Sequence, residues 1–229
     1  MYIALASASS DAEINRPLLE RIAEALEFQS HVHYAPFWQS AGVQVRVFSS
    51  VETIPNDNEA SPLVVFDEPD QAKTLGWHSV SPVGRPYGRV FWKAIRRNNG
   101  TGISGPVSLS ATLSHEALEM VGDPYVSWWA DTDEGAVQEC MELCDRVEMD
   151  SYDIEGVSVS NFLGPRAFRS GDGPYDWLRL LESPWEIRPG GYAIRRLGSR
   201  IYDLWGDKYP EWKKEIKRAA GSRTARRGG

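Results

Sequence analysis

The chain has 229 residues, 41% hydrophobic and 25% charged, enough apolar side chain for a real core and an ordinary charge content for a water-exposed surface. No apolar run nears the ~20 residues of a membrane span, and the opening MYIALASASS lacks the basic start of a secretory signal. A cytoplasmic setting, or a particle released by lysis of the cell, is therefore expected. The net charge of −7 hides an asymmetry: Glu211 to Gly229 holds seven basic and two acidic residues, a surplus of +5 that leaves −12 on the rest. An acidic body argues against nucleic acid as its partner, while the basic tail suits phosphates or an acidic neighbour.

In chain order, Tyr2 to Ala6 reads as a short buried strand. Ile14, Leu18, Leu19, Ile22 and Leu26 then recur at helical spacing within Asp11 to Phe28. Val43, Val45 and Val47 alternate with other residues, as in a half-buried strand. Leu63 to Phe66 is a further apolar strand, and Gly76 to Ser81 and Tyr87 to Ala94 are expected to pair around the turn PVGRP. Leu109, Leu113, Ala117, Met120 and Val121 form an apolar helical stripe that Gly122-Asp123-Pro124 ends. Val137, Cys140, Met141 and Cys144 repeat the same spacing and predict a second central helix. Val157 to Phe162 reads as a strand, the chain beyond Gly164 as irregular, and Arg200 to Ala219 as a last, interrupted helix. A mixed sheet followed by two central helices and an irregular C-terminal part makes a single α+β domain.

Chemistry concentrates in LSHEALEMVGDP, Leu113 to Pro124. His115 and Glu119 are four apart, so on a helix their side chains stack on one face and reach one ion. HExxH zinc sites use the same spacing, with a general base where Glu116 stands here. The second predicted helix carries Glu139, Glu142, Asp145 and Glu148, of which Glu142 and Asp145 are neighbours on one face. If the helices pack, so many carboxylates raise one another's proton affinity unless a cation lies between them. The competing reading of all four ligand candidates, His115, Glu119, Glu142 and Asp145, is a solvated polar face. His78, in LGWHSV, is a weaker candidate at the border of such a site. His31 and His33 share one side if extended, and surface or capping roles suit them better. Cys140 and Cys144 lie in the apolar stripe and read as buried, inert thiols of a reducing compartment.

The segments GWHSV, PYGRVFWK and TLSHEALEMVGDP together resemble the core of a zincin metallopeptidase. That resemblance spans about Leu63 to Pro124. It implies strands before an active-site helix and an edge strand along the substrate cleft. It also implies His115 as a ligand, Glu116 as the general base and Glu119 at the second ligand position. Gly122 falls where metzincins place a glycine. Their third ligand position holds Tyr125, so a third ligand has to come from downstream, with Glu142 or Asp145 chosen. The chain is also similar to uncharacterised proteins of tailed-phage genomes. These share HExxE followed by DP, a cluster like Glu142-Leu143-Cys144-Asp145, the sequence VSNF (Val159 to Phe162 here), and an ending like SRTARR. This second resemblance implies a phage or prophage origin and no particular activity.

On these resemblances, residues 1–165 form a zincin-like metal-binding domain. Residues 166–220 are an irregular and helical extension of it, and 221–229 a disordered basic tail. The implied cofactor is a divalent ion, zinc first, with calcium, iron or manganese suited by the carboxylate-rich donor set. One reading is a metal-dependent hydrolase, a peptidase acting on a peptide or protein substrate. The other is a non-catalytic virion or assembly protein whose metal ties helices together and whose tail docks on a neighbouring virion protein. A di-metal carboxylate oxidase needs two Glu-x-x-His units, and the chain has none.

Overall fold

The computed structural model describes residues 1–70 and 74–209, together with Glu211 and Lys214. The fold is α+β. Strand β1 (Tyr2–Ser7) is buried along nearly its whole length, because it lies inside a sheet with parallel neighbours on both sides, β2 (Val45–Val47) and β3 (Ala60–Phe66). β3 pairs in parallel with β5 (Pro86–Phe91), and β4 (Gly76–Val80) adds antiparallel to β5. The order across the sheet is β2-β1-β3-β5-β4, so β4 is an edge strand. The expected β4–β5 hairpin is present, with Ser81 and Arg85 closing its loop.

Helix α1 (Arg16–Phe28) starts at Asn15, whose side-chain oxygen accepts the amide of Leu18 at 3.1 Å. Its Leu19, Ile22 and Leu26 meet Ile3, Leu5, Leu63 and Val65 of the sheet in the main core. The chain then stays helical through a wider π-type segment (Gln29–Tyr34) into the short α2 (Ala35–Trp38). The sequence HVHY is thus coiled, not extended, and His31 and His33 do not share a strand face. A short α3 (Trp92–Arg97) follows β5 directly.

Helix α4 (Leu109–Gly122) is the central element. Ser108 caps it by accepting the amide of Ala111 at 3.1 Å. Leu109, Leu113, Ala117 and Met120 face the sheet, while Leu118 joins a second apolar cluster with Leu143, Val147 and Phe162. On a further side, serines allow close approach by the hairpin of β8 (Ser151–Ile154) and β9 (Val157–Ser160). Ser110 donates to the carbonyl of Ser158 at 2.6 Å. Ser114 accepts the amide of Ser160 at 3.0 Å and donates to Gln29. The helix ends at Gly122, as Gly-Asp-Pro predicts. An added Cβ there would come within 2.3 Å of the Leu143 side chain, so glycine lets the segment after residue 140 lie against the helix end.

The second central helix is not formed. Val137–Cys140 is strand β7, followed by a turn and a 3-10 segment (Asp145–Val147). β7 lies between β6 (Trp129–Asp131) and β10 (Tyr192–Leu197) in an antiparallel sheet ordered β11-β10-β7-β6. The apolar i, i+3, i+4, i+7 pattern is outweighed by pairing with a strand more than fifty residues downstream. The region beyond Gly164 is likewise more regular than expected. Arg200–Trp205 is strand β11, joined to β10 by a two-residue turn at Gly198, and not the start of a helix. The rest of that expected helix, apart from Glu211 and Lys214, and the tail 221–229 lie outside the described residues. Among the described residues, no helix is long and apolar enough to cross a membrane.

Glu139, one of the four acidic residues of the expected second helix, is used to hold this second sheet. It is 1% exposed and accepts from Arg195 at 2.9 Å, and its other oxygen faces Arg146 Nε at 3.1 Å. Arg146 is itself buried beneath the rings of Phe168 and Trp185 and donates to the carbonyl of Ala167 at 2.8 Å. Removing one member of a buried ionic group strands its partners in a medium that solvates them poorly. Glu139→Ala is therefore expected to cost about 3–5 kcal/mol in denaturant unfolding. A loss below about 1 kcal/mol would show that the two arginines find other partners.

Candidate metal centre

Three segments meet at one buried polar pocket: helix α4 with His115, Glu116 and Glu119, edge strand β4 with His78, and the turn after β7 with Glu142, Cys144 and Asp145. On α4, Glu116 and Glu119 face the β4 edge of the sheet, and His115 faces the turn after β7. On β4, residues Trp77, His78 and Ser79 are all buried despite its edge position: His78 meets α4, while Trp77 packs with Phe91 and Ala94. Gly76 leaves space there: an added Cβ would stand 2.8 Å from Glu116 Oε1. The turn after β7 is tied to the helix through the amide of Cys144, which donates to Glu119 Oε1 at 3.2 Å.

Each histidine presents one nitrogen to two carboxylates. His115 Nε2 lies 3.2 Å from Glu119 Oε1 and 3.4 Å from Asp145 Oδ1. His78 Nδ1 lies 3.2 Å from Glu119 Oε2 and 3.3 Å from Glu116 Oε2. The far nitrogen of the same ring, Nε2, has no hydrogen-bond partner and stands 3.6 Å from Glu142 Oε2. His78, Glu116, Glu119, Glu142 and Asp145 are each at most 6% exposed.

A ring nitrogen carries at most one proton, so it serves one of two facing oxygens well and the other poorly. A cation serves both. Ligands bound at ~2.1 Å sit roughly 3.0–3.4 Å apart around a four- or six-coordinate ion, which is the spacing of the nitrogen–oxygen pairs here. Two sets of donors fall within 4.8 Å of one another, His115–Glu119–Cys144 and His78–Glu116–Glu119. The donor chemistry and these spacings therefore fit a divalent cation.

No family model, curated protein or solved structure matches the chain.

Of the residues picked from sequence, Glu119 and Asp145 each come to the His115 ring nitrogen, although the compact donor set there is completed by Cys144, and Glu116 lies with His78 and Glu119 in the other set. Glu142 is in the same pocket but on the other side, against His78. None of them lies on a solvated face. Asp123, at the helix end, is not a donor to the centre: its two oxygens accept the amides of Ser127 and Trp128 at 2.9 and 2.8 Å. Tyr125, at the position where metzincins carry a third ligand, is 57% exposed. His78 is central where sequence reasoning put it at the border. The usable signal was Gly76, whose missing side chain marks a strand that something approaches closely. Cys144 is buried as expected, yet it belongs to one donor set.

Without a cation, the charges compensate through protons. Burial opposes charge on His78, but the carboxylates of Glu142, Glu116 and Glu119 outweigh it and raise its pKa from the ordinary 6.5 to about 10. His115 is likewise held well above its ordinary value, with Glu119 and Asp145 overcoming burial. Burial raises Glu116, whereas at Glu119 the two histidines more than offset burial and pull it well below the ordinary range. Burial keeps Cys144 a neutral thiol. The sign of the pH effect follows. Stabilisation from a raised histidine is full below pH 6.5 and is lost as pH rises through about 10. The EDTA-stripped protein should therefore lose melting temperature steadily between pH 6.5 and 10. The cation-loaded protein, whose imidazoles must already be neutral, should lose much less. Identical pH profiles for the two forms would contradict this charge pattern.

Proposed function

We propose that the chain is a metal-dependent hydrolase of zincin type, acting on peptide bonds, with Glu116 as the general base. The observation that carries this reading is the position of edge strand β4 beside α4. It runs antiparallel to β5 and brings His78 to 3.3 Å from Glu116, on the helix that presents His115 and Glu119. The zincin resemblance implies such a strand along the substrate cleft. An extended peptide adds to a sheet edge through main-chain hydrogen bonds, and this would set the scissile bond across the helix.

His115 and Glu119, with Asp145, would hold the cation. When bound, it supplies Lewis-acid polarisation of the substrate carbonyl. The protein's own part is positional and protolytic. Glu119 stays an anionic donor, fixed by the Cys144 amide. Glu116, one residue from His115 and about 100° around the helix, is not in the His115 donor set and is placed to take the proton of the attacking water and return it to the leaving amine. His78 holds the Glu116 carboxylate in place.

A second reading is favoured by burial. With Glu116 5% and Glu119 3% exposed, a cation would be closed in by protein ligands, as in structural sites. It would then tie α4 to β4 and the turn after β7, in a protein that assembles with others, such as a virion component.

One variant separates the two. For a hydrolase, Glu116→Gln should keep one cation and the melting temperature but lose ~10²–10⁴-fold in turnover against a peptide library. Wild-type turnover unchanged by Glu116→Gln would rule out the base. No turnover by the wild type, with a large EDTA-induced fall in melting temperature, would select the structural reading.

A further inference from the structure

Glu119 is shared. Its two oxygens face opposite ways, Oε1 to His115 Nε2 and Oε2 to His78 Nδ1, each at 3.2 Å. A carboxylate so placed bridges two cations, one on each oxygen. We infer that the centre takes two divalent cations that share Glu119. The first lies beside Oε1 with His115, where Cys144 completes the compact donor set and Asp145 stands 3.4 Å from the ring nitrogen; the second is held by His78 and Glu116 beside Oε2.

One observation beyond the clustering of acids supports the second position. His78 is 4% exposed, and its Nε2 lacks a hydrogen-bond partner 3.6 Å from Glu142. A cation on Nδ1 would fix the neutral ring with its proton on Nε2, aimed at that carboxylate, the usual arrangement of a carboxylate behind a ligating histidine. The charge of the cluster agrees with it. Glu116, Glu119, Glu142 and Asp145 bring four negative charges into one buried space. With both imidazoles neutral, one dication leaves two of them uncompensated and two dications leave none. Buried charge without compensation is strongly unfavourable.

The inference rests on the cation-binding part of the proposed function and not on hydrolysis. It also gives that reading a control: a cation at the second position draws Glu116 in as a ligand and removes the base. The singly loaded protein would be the active form, and the doubly loaded one silent.

The test is cation stoichiometry on the full chain. The stripped protein is titrated with Zn²⁺ and examined by native mass spectrometry, and with Mn²⁺ by electron paramagnetic resonance. Two Zn²⁺ per chain are expected for the wild type. One is expected for His78→Gln, which keeps the His115 group. Two Mn²⁺ sharing Glu119 should give an exchange-coupled spectrum. Saturation of the wild type at one ion overturns the shared centre while leaving the single-cation reading intact, and saturation at none overturns both. Two uncoupled Mn²⁺ ions, or a His78→Gln variant that still takes two Zn²⁺, also overturn the inference. The wild-type measurements decide the matter even if His78→Gln fails to fold.

Discussion

Four carboxylates and two imidazoles share one buried space between α4, β4 and the turn after β7, and the surrounding structure is arranged to hold them there. In water such a group would spread apart and hydrate. Here each member is fixed by the element that carries it, so the repulsion has to be met by positive charge: protons on the histidines or cations in their place. That constraint explains why a helix buried almost throughout keeps a histidine and two glutamates on one side. It also explains why an edge strand has a histidine facing inward.

The packing serves the same end. The apolar stripe of α4 packs in the main core with β1, β3 and β5 and sets the depth of the helix. Its serine side lets β9 come close, and its glycine end lets Leu143 lie against it, which fixes where Glu142 and Asp145 arrive. The turn after β7 would be free to move were β7 not locked into the second sheet. Glu139 locks it, with Arg195 on the neighbouring strand and Arg146 one residue beyond Asp145. A salt-bridge group next to the centre in sequence, but outside its donor set, thus anchors the turn that carries Asp145.

Much of the first half was legible. Tyr2 to Ala6, the α1 stripe, the β4–β5 hairpin and α4 each carry a local signal, a period or a turn, that matches the final structure. His115, Glu119 and Asp145 were legible as a group because two of them are a helical turn apart and acids follow closely. The second central helix was not legible, because Val137 to Cys144 has helical spacing by coincidence and its fate is decided by pairing with β10, far along the chain. His78 was under-read for the same reason. A lone histidine on a strand has no local mark of what it meets, and its partners come from a helix thirty-eight residues away. The face that Glu142 takes also depends on that contact, so spacing to Asp145 alone could not separate their partners.

The central claim is that a cation lies where His115 and Glu119 meet. Anomalous diffraction from crystals grown with Zn²⁺, recorded on both sides of the zinc edge, tests it most directly. A peak is expected within about 2.0–2.2 Å of both His115 Nε2 and a Glu119 oxygen. Crystals saturated with zinc that carry their peaks only on surface histidines, with hydrogen bonds joining His115 to Glu119 and Asp145 unchanged, would contradict it.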